Sequence, residues 1–347
     1  MAVARLSHVA VLLKDGRVLI AGGYSTSSHA LEWAELYDPA SGHFVATGSM
    51  NTERAGATAV LLADGKVLVA GGFLIDGTGN TVPLASAELY DPATGVFIPT
   101  GSMYTARYNH TATLLPSGLV LIAGGTGEHA TLDSAEVYDP RTSSFRPVGA
   151  MTTPRTGHTA TLLADGRVLI AGGLSATQPA SPTYLGSAEL FDPTTGLFTP
   201  TGSMSVTRYS AAAARLPDGR VLVLGGLRVG DDDKKYSMET AETYDPAGGT
   251  FAATGSMANP RAGAGTVVLS DGRVLVVGGV LSGADPDDAY LASAEAYRPA
   301  DDLFAFAGTM ITPRYGPTAT LLEDGRVLIA GGGNSGGILA SAEIYQP

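Results

Sequence analysis

A paired glycine recurs seven times along this 347-residue chain, and that repeat limits the fold more than any other feature. The pairs are Gly22-Gly23, Gly71-Gly72, Gly124-Gly125, Gly172-Gly173, Gly225-Gly226, Gly278-Gly279 and Gly331-Gly332, spaced by 49, 53, 48, 53, 53 and 53 residues. Two more markers keep the same phase. Ala-Glu-x-Tyr-Asp-Pro follows each pair, from Ala34 to Pro39 through to Ala342 to Pro347; Phe191 replaces the tyrosine once, and Arg298 and Gln346 replace the aspartate. Met-x-x-x-Arg opens each unit, from Met1 and Arg5 to Met310 and Arg314. A period near 50 residues signals one small structural unit that cannot bury its apolar faces alone and must stack on copies of itself. The expected organisation is one domain over 1–347, with units at about 1–49, 50–102, 103–150, 151–203, 204–256, 257–309 and 310–347.

Each unit reads as four short strands, A to D. Asp-Gly between two apolar runs (Asp15-Gly16, Asp64-Gly65, Asp165-Gly166) predicts an A–B hairpin with a type I′ turn; unit three uses Ser117-Gly118. Strand B, such as Val168 to Ala171, is apolar without alternation, as expected if both faces are covered. Strand C carries Glu-x-Tyr and ends at Asp-Pro. Strand D starts near a phenylalanine (Phe44, Phe97, Phe145) and runs to Gly-Ser-Met. No segment sustains a 3.6-residue apolar period, so no significant helix is expected. Seven such sheets set radially cover one another, with the small-residue strand A (Ala57-Thr58-Ala59, Ala211-Ala212-Ala213) at the crowded axis. The predicted fold is all-β, a seven-bladed β-propeller.

These motifs, a hydrophobic strand ending in Gly-Gly, a Tyr-Asp-Pro strand, an aromatic and Met-x-x-x-Arg, resemble the kelch repeat, and the resemblance spans the chain. It looks most like bacterial kelch-repeat proteins of the "DGRVLIAGG…SAELYDP" type. Phenylalanine stands where the family usually has a strand D tryptophan. The resemblance implies a propeller whose ligands commonly bind at the B–C and D–A loops. Kelch propellers usually close by mixing strands from both termini in one blade. Here Met1 falls on strand A and Pro347 follows strand C, so blade seven is expected to have three strands and to close by face-to-face packing. The exposed edge of strand C is then a hydrogen-bonding template. Two readings of that edge stand: a trimmed or engineered chain, and strand donation from another chain.

Catalytic signatures are absent. The chain has no cysteine, which rules out disulfides, thiolate metal sites and the cysteine–tyrosine cofactor of the copper oxidases that share the kelch fold. The iron motif of kelch-type specifier proteins is absent, as is HExxH. Gly333-Asn334-Ser335-Gly336-Gly337 matches G-x-S-x-G literally, but no helix is expected after it, and it lacks the Lys-Ser/Thr of a P-loop.

Variable loops on a rigid scaffold are where binding usually sits. The B–C loops vary from nine to fourteen residues, so any site is placed on the B–C/D–A face around the axial channel mouth. Residues that recur in every blade read as structural. Arg5, Arg54, Arg107, Arg155, Arg208, Arg261 and Arg314 match Glu35, Glu88, Glu136, Glu189, Glu242, Glu295 and Glu343 one for one, as seven Arg–carboxylate pairs with a fork suited to bidentate contact. The alternative is an arginine ring that attracts anions.

Residues that break the repeat are the better functional candidates. They are Tyr108, Tyr209 and Tyr315 after the arginine; His8, His110 and His158 three positions after it; Glu128 and His129 in loop three; and Trp33, for stacking on a sugar, anchoring a peptide or simply packing. The three histidines occupy equivalent ring positions and only His110 and His158 are in neighbouring blades, so neither a metal nor a cofactor is expected. Loops five (Asp231-Asp232-Asp233-Lys234-Lys235-Tyr236) and six (Asp285-Pro286-Asp287-Asp288) are acid-rich without calcium-loop spacing and read as solvated charge.

The net charge of −12 argues against a nucleic-acid partner, and no apolar run approaches the 18 or so residues that span a bilayer. No signal-peptide pattern opens the chain, so the expected location is extracellular or cell-surface if a leader was removed and cytoplasmic otherwise. The leading reading is a noncatalytic, monomeric scaffold that recognises a protein or glycan through the B–C/D–A face; a small-molecule ligand at the mouth is also allowed for. The rival is an isomerase, cyclase or lyase using His110, His158, Tyr108 or Glu128 as acid and base. A third reading is a consensus-like engineered repeat.

Overall fold

The computed structural model describes residues 1–25, 29–176, 182–230, 232–283 and 289–347. They form seven antiparallel sheets around an axis, with no helix among them. Six sheets have four strands in sequence order. Blade three shows the pattern: Thr111–Leu114, Val120–Ala123, Ala135–Asp139 and Ser144–Pro147. Its register pairs Thr111 with Ala123, Val120 with Tyr138 and Tyr138 with Phe145. Blade seven has three strands, Thr318–Leu321, Val327–Ala330 and Ala342–Tyr345, as expected.

Strand B is fully buried in every blade because both of its faces meet neighbours. The core is accordingly a set of clusters between adjacent blades. Leu121, Ala123 and Val137 of blade three, for example, pack on Val168, Ile170 and Phe191 of blade four. Each fully buried Val, Leu or Ile contributes about 1.5–3 kcal/mol. The ring closes in the same way: Val18, Ile20 and Tyr37 of blade one meet Leu322, Leu328 and Ala330 of blade seven.

One turn differs from expectation. The A–B connections are not two-residue type I′ turns. Leu13 N–H donates to Arg17 O (2.8 Å) and Gly16 N–H to Leu13 O (3.1 Å), and only Gly16 has positive φ, at 82°. That is a type I turn followed by a left-handed glycine. The aspartate supplies hydrogen bonding instead of a left-handed backbone: Asp15 Oδ1 accepts the Arg17 N–H at 3.1 Å.

The B–C loops hold a second feature that the sequence did not announce. Among the described residues, five contain small hairpins: Phe73–Ile75 with Thr81–Pro83, Leu174–Ser175 with Thr183–Tyr184, Leu227–Val229 with Lys235–Ser237, Val280–Leu281 with Ala289–Tyr290, and Gly333–Asn334 with Gly337–Ile338. The last is the home of the G-x-S-x-G string, which is a hairpin bend. The start of each B–C loop also bridges to the D–A segment of its own blade, as Tyr108 does to Thr126 and Tyr209 to Leu227. Both loop sets are thereby stitched into one face.

Candidate functional site

Beneath that face lie the seven arginine–glutamate pairs, at 2.6–3.2 Å, with arginine side chains fully buried. The geometry corrects the bidentate expectation. Arg107 Nη2 donates to one oxygen of Glu136 (3.1 Å) and to Ser134 Oγ (3.0 Å), while Nη1 donates to Gly124 O (2.8 Å) and Ser134 O (2.9 Å). Glu136 in turn accepts the backbone N–H groups of Tyr104 and Thr105, at 2.8 and 3.0 Å. One ion pair thus ties the end of strand B, the start of strand C and the D–A crossing together. No guanidinium of this set is open to solvent, which removes the anion-attracting alternative.

Above the arginines, each D–A segment turns through one left-handed residue. These are Ser7, Gly56, Asn109, Gly157, Ser210, Gly263 and Gly316, with φ between 51° and 61°. Their backbones form a chain of hydrogen bonds around the axis. Gly56 N–H donates to Ser7 O, Asn109 to Gly56, Gly157 to Asn109, Ser210 to Gly157, Gly263 to Ser210 and Gly316 to Gly263, at 2.7–3.4 Å. A left-handed non-glycine residue costs about 1–2 kcal/mol, which the bonds of this chain to Ser7, Asn109 and Ser210 help to offset.

The three histidines stand just outside it. His8 Nε2 lies 3.1 Å from Thr318 Oγ1, His110 Nε2 2.9 Å from Thr58 Oγ1, and His158 Nε2 3.0 Å from Thr111 Oγ1, each threonine belonging to the preceding blade. Their Nδ1 atoms are buried without a hydrogen-bond partner. Burial, aided by the arginine three residues earlier, pushes each imidazole down to about 3. All three are therefore neutral at physiological pH.

Tyr209 and Tyr315 line an open axial depression of about 620 Å³, with Leu6, the left-handed residues and the edges of the histidines. The Tyr209 ring lies against Gly157, where a Cβ would come within 2.3 Å of it, and meets Tyr184 edge-on at 5.9 Å. Burial raises the pKa of both Tyr209 and Tyr315. Tyr108 stands elsewhere. It packs edge-on against Phe73 (5.2 Å) and lines a neighbouring cleft of about 480 Å³ with Glu128, His129 and Tyr209. Glu128 and His129 are 3.8 Å apart and largely exposed. Trp33 is half exposed and lines neither cavity; its carbonyl accepts from Arg5 Nη1 at 2.7 Å.

The tertiary structure thus splits the predicted set. Tyr209, Tyr315, His8, His110 and His158 share the axial mouth, whereas Tyr108, Glu128 and His129 share the side cleft, with Tyr209 between them. Sequence reading missed Phe73, Tyr184 and Tyr290, the aromatic partners of Tyr108, Tyr209 and Tyr315. Their signal was present as lone aromatics in the B–C loops, but only the loop hairpins bring them inward. In loop five, Asp232 accepts the Tyr236 hydroxyl at 2.7 Å and sits 3.8 Å from Lys234; Asp231 and the loop-six acids 285–288 lie outside the described residues.

Ring, radial strands and axial mouth together define a seven-bladed β-propeller. Residues 106–152 match the Kelch motif, and this match and the seven repeated blades together support a kelch-repeat propeller family for the chain. No curated protein matches it. Among solved structures, a fungal alcohol oxidase of the AA5 family in complex with copper is similar, with a TM-score of 0.77 and 20% identity over 99% of this chain and 74% of that one. The likeness is one of fold. The residues here do not fit a copper centre of that kind: the chain has no cysteine, the Nε2 atoms of the three mouth histidines face threonine hydroxyls, and no group of three or more His, Asp or Glu side chains gathers among the described residues.

Proposed function

We propose that this protein is a binding scaffold that takes a protein or glycan ligand on its B–C/D–A face, centred on the axial mouth. The observation that carries this reading is the pairing of two partly buried tyrosines, Tyr209 and Tyr315, which line the axial mouth, with a chain of backbone hydrogen bonds around the axis. Tyrosine offers a large amphipathic contact at low conformational cost, suited to sugar faces and to peptide side chains. Kelch propellers commonly bind proteins, which adds support. The histidines behind the ring are neutral and engaged, so they serve packing and register rather than proton transfer.

Titration calorimetry against oligosaccharide and peptide panels tests the reading. Tyr209→Ala and Tyr315→Ala should each weaken a bound ligand about tenfold or more while the circular dichroism spectrum stays unchanged. The rival, acid–base chemistry, is supported by one feature: the Glu128–His129 pair beside Tyr108 in the side cleft. Turnover of a panel compound that disappears in Glu128→Gln would transfer the function to that cleft.

A further inference from the structure

We propose that the axial mouth and the side cleft form one groove, and that its ligand is an uncharged oligosaccharide long enough to lie in both, which rests on the mouth being the binding site proposed above. The two cavities, about 620 and 480 Å³, share two lining residues, Asn109 and Tyr209. These two side chains make the saddle between them. Each lies close over the left-handed glycine of the preceding blade. A Cβ on Gly56 would come within 2.9 Å of Asn109 Oδ1, as one on Gly157 would meet the Tyr209 ring at 2.3 Å.

Asn109 is the residue that departs from the repeat at this place. Four blades carry glycine there and two carry serine; blade three alone carries a carboxamide. Its backbone is held on both sides. The N–H donates to Gly56 O (3.0 Å), and the carbonyl accepts from Gly157 N–H and Thr156 Oγ1, both at 3.4 Å. The residue is exposed, and its carboxamide makes no hydrogen bond among the described residues. A backbone conformation that suits glycine is thus kept by a side chain whose polar atoms the fold does not use. A carboxamide sets an acceptor oxygen beside two N–H donors. Two adjacent sugar hydroxyls, each able to donate and accept, match it.

Charge decides the class of ligand. No Asp, Glu, Lys or Arg lines the mouth, and burial keeps its three imidazoles neutral. In the cleft, Glu128 and His129 stand at the rim, with side chains 78% and 83% exposed. A ligand carboxylate, phosphate or ammonium would therefore leave water without a counter-charge inside the groove. A peptide anchor would need a large apolar pocket, and Leu6 is the one large aliphatic side chain lining the mouth. Tyrosine faces with a fixed amide among them suit a pyranose chain instead: Tyr315 in the mouth, Tyr209 at the saddle and Tyr108 in the cleft.

Other blades supply the test substitutions. Asn109→Gly installs what four blades carry, and Ala55 and Ala262 stand where Tyr108 and Tyr315 do, so the repeat accommodates alanine there. Neutral gluco-, manno-, galacto- and xylo-oligosaccharides of two to six units are titrated into the protein by calorimetry, with oligogalacturonates of the same lengths as the charged arm. One neutral series should bind, with the hexamer about tenfold or more tighter than the dimer. For that hexamer, Asn109→Gly, Tyr108→Ala and Tyr315→Ala should each weaken binding about tenfold while the circular dichroism spectrum stays unchanged. A hexamer no tighter than the dimer, or one that loses affinity in only one of Tyr108→Ala and Tyr315→Ala, would overturn the shared groove. Tighter binding of the galacturonates, or no binding of any neutral series at millimolar concentration, would overturn the ligand class. In that last case, a peptide whose binding falls in Tyr209→Ala would leave the mouth as the binding site, and the absence of any such peptide would remove that reading as well.

Discussion

Val148 of blade three packs on the apolar cluster that holds Phe191 of blade four, and the two stand where four other blade junctions set a threonine hydroxyl on a tyrosine hydroxyl. Both polar atoms are absent together. A lone hydroxyl there would be desolvated without a partner, whereas the pair satisfies itself. Five junctions are matched in this way, four hydrogen-bonded and one apolar, whereas blade six sets Ala307 at the threonine position and blade seven keeps Tyr345.

This makes a double-mutant cycle informative. Val148→Thr and Phe191→Tyr should each lower stability by about 1 kcal/mol, while the double variant should recover most of the loss. Urea denaturation of the four proteins measures the coupling. Additive losses would mean that the hydroxyls do not meet.

Arg155 is fully buried and donates to Gly172 O, Ser187 O, Ser187 Oγ and Glu189. Arg155→Ala leaves the buried Glu189 without its counter-charge and strips one donor each from Gly172 O and Ser187 O, and should cost about 3–5 kcal/mol. Arg155→Lys should recover little, because an ammonium cannot reach these acceptors as a planar fork does. Thermal unfolding of both variants checks this; unchanged melting in Arg155→Ala would contradict a structural role.

Acid should loosen the ring through its histidines. Each imidazole is held near 3 in the folded chain against 6.5 in the unfolded chain. As pH falls below about 6.5, the unfolded chain binds protons that the folded chain refuses. Stability is therefore full above that pH and declines towards pH 3, by up to about 1.4 kcal/mol per pH unit for each histidine. Denaturant midpoints from pH 7 to pH 4 should show a shallower slope in His158→Gln than in the parent chain.

Gly157 holds φ at 59° directly under the Tyr209 ring. Gly157→Ala should cost about 1–2 kcal/mol through its left-handed backbone, and should also push the tyrosine out of place. The ligand sought at the mouth should then bind more weakly than the stability loss alone explains. Equal affinity in Gly157→Ala would place the ligand away from Tyr209.

Much of this architecture was readable in the chain. The Gly-Gly period set seven blades, the unbroken apolar run of Val168 to Ala171 marked a strand covered on both faces, and the arginines matched the glutamates one for one. The A–B turn was misread because Asp-Gly suits more than one turn, and whether the aspartate takes a left-handed backbone depends on the strands it joins. The loop hairpins were not visible at all. Elements as short as Leu174–Ser175 carry no periodic signal and exist because D–A segments such as that at Thr156 pair with them.

Periodicity and residue size, which are local and repeated, thus sufficed for the number of blades, their strand order and the pairing of the charges. Burial is a property of neighbours far away in sequence, and only the folded ring decided it. His110 and His158 look like acid–base candidates along the chain, yet threonines of the preceding blades and the loss of water make them neutral struts. Tyr209 and Tyr108 sit in equivalent places in two repeats, yet Tyr209, over Gly157, reaches the axial mouth as well as the side cleft, whereas Tyr108, beside Phe73, lines the side cleft alone.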